Sequence, residues 1–174
     1  MPVDWQPYLL RPEAPPEGWA LPESIRAKMN HPDNPLQARA KALKLPLVER
    51  EWVPNSRRAL AANEYVRTLG LEKLHQFHSA VNDHYWGRGE DLSKWPVLEA
   101  AAKDVGVDGA AMREAVEQGG LDAAVDQSIA AAHRMGIHAV PTYVFFDGDR
   151  PIGAIQGAQE YEVFRRAAKQ LGLG

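Results

Sequence analysis

Ten of this chain's 13 prolines fall between Pro2 and Pro54, whereas Gly18 alone of its 14 glycines precedes Gly70. Proline fixes φ and removes a backbone donor, so the first 54 residues cannot sustain long regular elements. They are expected to form a strand and short helices joined by stiff, extended connections. Beyond them glycine takes over as the punctuation, and it closes helices rather than breaking them.

Val3 to Leu10 has the apolar, β-rich positions of a strand, and Arg11 to Pro22 is a loop. Ser24 is expected to cap a short helix through Met29. Asn34-Pro35 pairs a cap with a first-turn proline and starts a helix through Leu43. Leu45 to Val53 is extended or irregular. Five helices follow in residues 55–135. Ser56 caps the first, whose inward face is Ala59, Ala62, Val66 and Leu69. Leu74, Phe77, Val81 and Tyr85 face inward on the second. Ser93 opens the third, Asp108 the fourth, and the fifth runs from Leu121 to Met135. Short loops join them, as in a helical bundle.

The period then changes. Thr142-Tyr143-Val144-Phe145-Phe146 is a solid apolar run, expected of a strand buried on both faces. Asp147-Gly148-Asp149 turns it into a second strand, Pro151–Ile155. A last helix puts Tyr161, Phe164, Ala168 and Leu171 on one face. Pro141 stands directly before the apolar strand, where it cannot donate to a ladder. Two solutions exist: a trans proline at a strand start, or a cis Val140–Pro141 bond that leaves the Val140 backbone free to pair with an extended peptide.

Composition removes several function classes. With 174 residues, 45% hydrophobic and 25% charged, the chain is expected to be one globular domain, 1–174. Its 20 basic and 23 acidic residues leave a net charge of −3, with no basic stripe for nucleic acid or a membrane surface. No apolar stretch approaches transmembrane length. Met1-Pro2-Val3-Asp4-Trp5 lacks the pattern of a signal peptide, so a cytoplasmic location is expected. There is no cysteine, hence no disulfide, thiolate metal site or cysteine nucleophile. His75, His78 and His84 have spacings that metals can use, but no acidic pattern matches them, and a solvated helix face is expected instead. The five tryptophans are expected to pack the core and loops.

Ala139-Val140-Pro141-Thr142, the strand, the hairpin, Gly157 and the terminal helix together resemble the C-terminal half of a thioredoxin fold. Asn55-Ser56-Arg57-Arg58-Ala59, Phe77-His78-Ser79-Ala80-Val81 and Asp91-Leu92-Ser93, with Gly106-Val107-Asp108, resemble the DsbA-like family. Within it they are most similar to the FrnE and 2-hydroxychromene-2-carboxylate isomerase branch, as are Val3–Pro12 and Pro15-Pro16-Glu17-Gly18. The resemblance implies an α/β fold and a cis Val140–Pro141 bond. Its thioredoxin-like part would comprise residues 1–54 and 137–174, with residues 55–135 a helical insertion.

In that family a first strand and first helix precede the strand matched by Val3–Leu10, and the helix start carries Cys-x-x-Cys or a serine. Relative to that pattern the chain is expected to be N-terminally truncated and redox-inert, with no catalytic residue, metal or resident cofactor. The resemblance implies substrate contacts at Val140, Pro141, Thr142, Asn55 and Ser56, and His138 either faces substrate or lies on the surface. The readings are a DsbA/FrnE-like oxidoreductase-family protein, a non-catalytic peptide-binding or chaperone-like remnant, and a glutathione-dependent isomerase or transferase relative. The partners implied are an extended peptide or a glutathione-like ligand. A slot beside Thr142–Phe146 also predicts a homodimer built around the N-terminal segment and an uncovered sheet face.

Overall fold

The computed structural model describes residues 3–31 and 33–173; Met1, Pro2, Pro32 and Gly174 lie outside them. The chain divides into two compact units. One contains Trp5–Ser128, the other Val3, Asp4 and residues 129–173.

The first unit opens without a strand. Val3–Leu10 is irregular, contrary to expectation. Pro7 deprives it of a donor, and side chains from the helices take its carbonyls instead. Arg67 donates to the Trp5 carbonyl, and Ser128 Oγ lies 3.1 Å from the Pro7 carbonyl. The Trp5 ring stacks on His78 at 4.4 Å. Among the described residues the strands of this unit are two short pieces: β1, Trp19–Ala20, in a segment expected to be a loop, and β2, Trp52–Val53, in one expected to be extended or irregular. They pair antiparallel, Trp19 opposite Val53. Gly18 makes the approach possible: it has φ +77°, and a Cβ there would stand 2.3 Å from the Val53 carbonyl oxygen.

Between these strands lie α1, Glu23–Asn30, and α2, Pro35–Ala42, neither of which contains a buried residue. Ser24 falls inside α1 rather than capping it; Pro22 holds the cap position. Asn34 caps α2 as expected, accepting from the Leu36 N–H at 2.9 Å.

The remaining helices of this unit are α3, Arg57–Arg67; α4, Leu71–Asn82; a π-helical turn, Asp83–Gly87; α5, Trp95–Asp104; and α6, Gly109–Glu117. Helix α7, Gly120–Arg134, starts here and ends in the second unit. Helix α3 packs on α4 and α6, and α5 on α4 and α6. The core is Ala61, Ala62, Val66, Leu74, Phe77, Leu98, Ala101 and Met112, all fully buried. Alanines bring the helix axes close, and the larger side chains fill the space left between them. Leu69 is exposed because α3 has already ended at Arg67. Asp108 caps α6, accepting from the Ala110 and Ala111 N–H groups at 3.0 Å. Helix α5 starts at Trp95, after Ser93, with Pro96 in its first turn.

The second unit is a hairpin and a helix. Strand β3, Thr142–Asp147, pairs antiparallel with β4, Arg150–Gln156, around Gly148-Asp149, with an irregularity between Phe145 and Phe146. Helix α8, Tyr161–Gln170, lies over one face: Phe164 meets Tyr143 edge-on at 4.7 Å, and Leu171 packs where Gly153 has no side chain. The strand is therefore not buried on both faces. Phe145 is buried, but Phe146 on the opposite face is 45% exposed. Tyr161, at the first position of α8, is exposed too.

Candidate functional site

Glycine at 136, with φ +73°, ends the last turn after α7, and the Ile137 N–H closes it onto the Ala132 carbonyl at 2.9 Å. The chain then turns through Ala139 and Val140 into Pro141, and the Val140–Pro141 peptide bond is cis. Thr142 Oγ1 donates to the Ala139 carbonyl at 2.7 Å, pinning the turn, and the Gly157 N–H donates to the Pro141 carbonyl at 2.8 Å. Val140 is left outside both bonds. It is 45% exposed, and its N–H and C=O make no hydrogen bond among the described residues. His138 is exposed and stacks on His133 with ring centres 5.6 Å apart. Val140, Pro141, Thr142 and His138 are thus one loop of one unit.

Asn55 and Ser56 belong to the other unit. Ser56 occupies the cap position of α3 but its side chain makes no cap bond. Asn55 caps instead: its Oδ1 accepts from the Arg57 N–H at 2.9 Å, while its Nδ2 donates to the Ala14 carbonyl at 2.7 Å. The amide clasps the proline-rich loop to the helix start, and both its ends are occupied. An Asx turn competes with a serine cap by this route, since an Asn side chain reaches the N–H two residues on.

Sequence reasoning missed the ion pairs around these elements, and the solvated helix face expected for His84 is not found. Arg57 bridges to Asp122 and Asp126 at 2.9 Å, and the bond to Asp126 above all holds its proton more firmly than usual. His84, on the π-helical turn, is 1% exposed. Its Nδ1 faces Glu90, and its Nε2 lies 3.1 Å from Asp104 and 3.3 Å from Arg88. The acidic partners are six and twenty residues away, too scattered to form a motif. Among the described residues no group of three or more His, Asp and Glu could hold a metal. Nor is any helix long and apolar enough to cross a membrane.

His78 has a measurable consequence. Burial, and next the neighbouring His75, push it below the usual histidine range. The unfolded chain then binds more protons than the folded one as pH falls below about 6.5, so stability falls with it. The urea midpoint is expected to drop between pH 7.5 and pH 5.5, and His78→Phe, which keeps a ring against Trp5, is expected to flatten that slope. An equal slope in both proteins would contradict the assignment.

A DSBA-like thioredoxin domain model matches residues 1–169. The Bacillus subtilis (strain 168) protein YwbO, itself uncharacterized, is 25% identical over 166 residues, covering 95% of this chain and 80% of YwbO. A crystal structure of a Nitrosomonas europaea protein, proposed to be a protein disulfide isomerase, superposes with a TM-score of 0.75 at 17% identity. That match covers 88% of this chain and 78% of the other. The helical insertion, the proline-led hairpin and the terminal helix belong to one mixed α/β fold, and the chain is a member of the DSBA-like thioredoxin domain family.

Proposed function

We propose that this chain holds extended polypeptide against the start of β3, acting as the peptide-binding part of a DsbA-like oxidoreductase fold. The observation that carries this reading is Val140: exposed and, among the described residues, with its backbone donor and acceptor unused, directly before a strand that pairs there with β4 alone. An edge of this kind recruits a peptide by adding a strand, with main-chain bonds supplying affinity. Thr142 and Pro141 fix the loop, and His138 flanks it. Disulfide exchange proceeds by attack of a thiolate, and these 174 residues contain no cysteine. The redox step is therefore not performed by these side chains.

Two assays test this. In insulin reduction the purified chain is expected to match the buffer blank; turnover above blank would mean chemistry that does not use a thiol. A fluorescent, cysteine-free unfolded peptide is expected to bind saturably by anisotropy, and absence of binding would contradict the reading.

Asn55-Ser56-Arg57-Arg58-Ala59 and Pro15-Pro16-Glu17-Gly18 support the FrnE-like branch within the family. The exposed Val140, Phe146 and Tyr161 support a homodimer formed through the hairpin and α8. Sedimentation equilibrium at micromolar concentration is expected to give twice the 19.3 kDa chain mass. A stable 19.3 kDa monomer would contradict it.

A further inference from the structure

Arg50 is a charge that the fold buries without an acceptor. It is 8% exposed, and its Nε–H is buried with no hydrogen-bond partner among the described residues. Its guanidinium carbon lies 3.8 Å from the Trp86 ring centre and 4.3 Å from that of Tyr85. Ring faces attract a cation but accept no hydrogen bond of ordinary strength. A buried cation normally has a carboxylate partner, because losing water is costly. The adjacent arginine shows the contrast: Arg26 pairs with Glu51 at 2.7 Å. Burial weakens the proton affinity of Arg50 and raises that of Tyr85, whose phenol thus stays neutral beside the cation.

The surroundings show what the charge faces. Arg50 lines a groove of about 320 Å³ between α1 and residues 49–51, with Glu23, Arg26, Asn30, Glu49 and Glu51. This is near the small end of ligand cavities. Arg50 is the buried member of this lining, while Glu23 and Glu49 are exposed. Arg26 and Glu51 neutralise one another. The groove is thus lined by one buried arginine, whose Nε–H has no hydrogen-bond partner among the described residues, and by two exposed carboxylates. A simple anion would meet those carboxylates as well as Arg50. The ligand that satisfies both carries a carboxylate and, a few bonds away, a positive charge.

We propose that this groove binds the C-terminal carboxylate of a peptide ending in a basic residue. Arg50, oriented by Trp86 and Tyr85, takes the carboxylate through its guanidinium donors. Glu23 and Glu49 take the cationic side chain. Arginine suits this position because its planar fork matches a carboxylate, and its stacked face tolerates burial better than an ammonium does. The site is separate in sequence and composition from the Val140 loop and does not depend on it.

The probes are acetyl-Ala-Lys, the same dipeptide as its C-terminal amide, and acetyl-Ala-Glu, titrated into the full chain. The readouts are the Arg50 Nε–H and Trp86 indole N–H resonances, with calorimetry for affinity. Acetyl-Ala-Lys is expected to shift both resonances saturably at millimolar concentration, with the amide and acetyl-Ala-Glu each about tenfold weaker or worse, as loss of one charged contact implies. Arg50→Lys is expected to weaken acetyl-Ala-Lys by about tenfold. The double variant Glu23→Gln, Glu49→Gln is expected to abolish the preference for Lys over Glu while leaving the far-UV spectrum unchanged. Equal binding of acid and amide, or no saturable shift in the intact chain, overturns the proposal. Neither of these comparisons needs a variant to fold.

Discussion

Phe77→Ala is expected to destabilise the chain by about 3–5 kcal/mol, the usual range for truncating a fully buried aromatic. Phe77 is wholly inaccessible on α4, which packs between α3 and α5. The two helices packed on α4 carry fully buried alanines, at 61 and 62 on α3 and at 101 and 102 on α5, so they have little side-chain volume to offer a cavity. Urea unfolding checks this: the midpoint should fall with little change in slope. Phe77→Leu keeps most of the volume and is expected to lose less than half as much. A Phe77→Ala loss below about 1 kcal/mol would mean that the core is not packed as described.

His84→Ala is expected to cost about 2–4 kcal/mol, from the loss of a buried ring. The ring ties the π-helical turn to Glu90 on one side and to Asp104 at the end of α5 on the other. The half-exposed carboxylates keep part of their hydration, which holds the cost below that of a fully buried ion pair. A second readout separates this contact from packing. The hydrogen bond from His84, followed by the His84 and Arg88 charges, holds the Asp104 carboxyl below its ordinary value. A lowered carboxylate contributes stability above its unfolded value and loses it as pH falls through the folded one. In His84→Ala the Asp104 carboxyl resonance is expected to titrate at higher pH, nearer the ordinary range. An unmoved titration would contradict the assigned contact.

The helices were legible because their faces repeat at helical spacing and glycine or Asp108 marks their ends. The hairpin was legible from Asp147-Gly148-Asp149 after an apolar run. Val3–Leu10 misled because alternating apolar residues state a preference for extended backbone, not the presence of a neighbouring strand; Arg67 and Ser128 supply the bonds instead. The burial of Thr142–Phe146 was overstated because hydrophobicity cannot reveal that the helix covers one face of a strand. Sequence alone does not separate Ser56 from Asn55 as the cap, because local preference for serine and asparagine is nearly equal, and only the three-dimensional path of the Pro-rich loop lets Asn55 bond at both ends. Arg50 was illegible for a different reason. Between Glu49 and Glu51 it has the look of a solvated charge run, and the aromatic faces that cover it come from Tyr85 and Trp86, some 35 residues later.

The peptide-binding account is tested most directly by amide mapping on the ¹⁵N-labelled chain with a saturating cysteine-free extended peptide. The account predicts saturable shifts of the Val140 and Thr142 amides, slowed hydrogen exchange at Val140, and Thr142→Val binding more weakly through loss of the bond to the Ala139 carbonyl. Saturable binding that leaves Val140 and Thr142 unshifted, or an unchanged exchange rate at Val140, would contradict it.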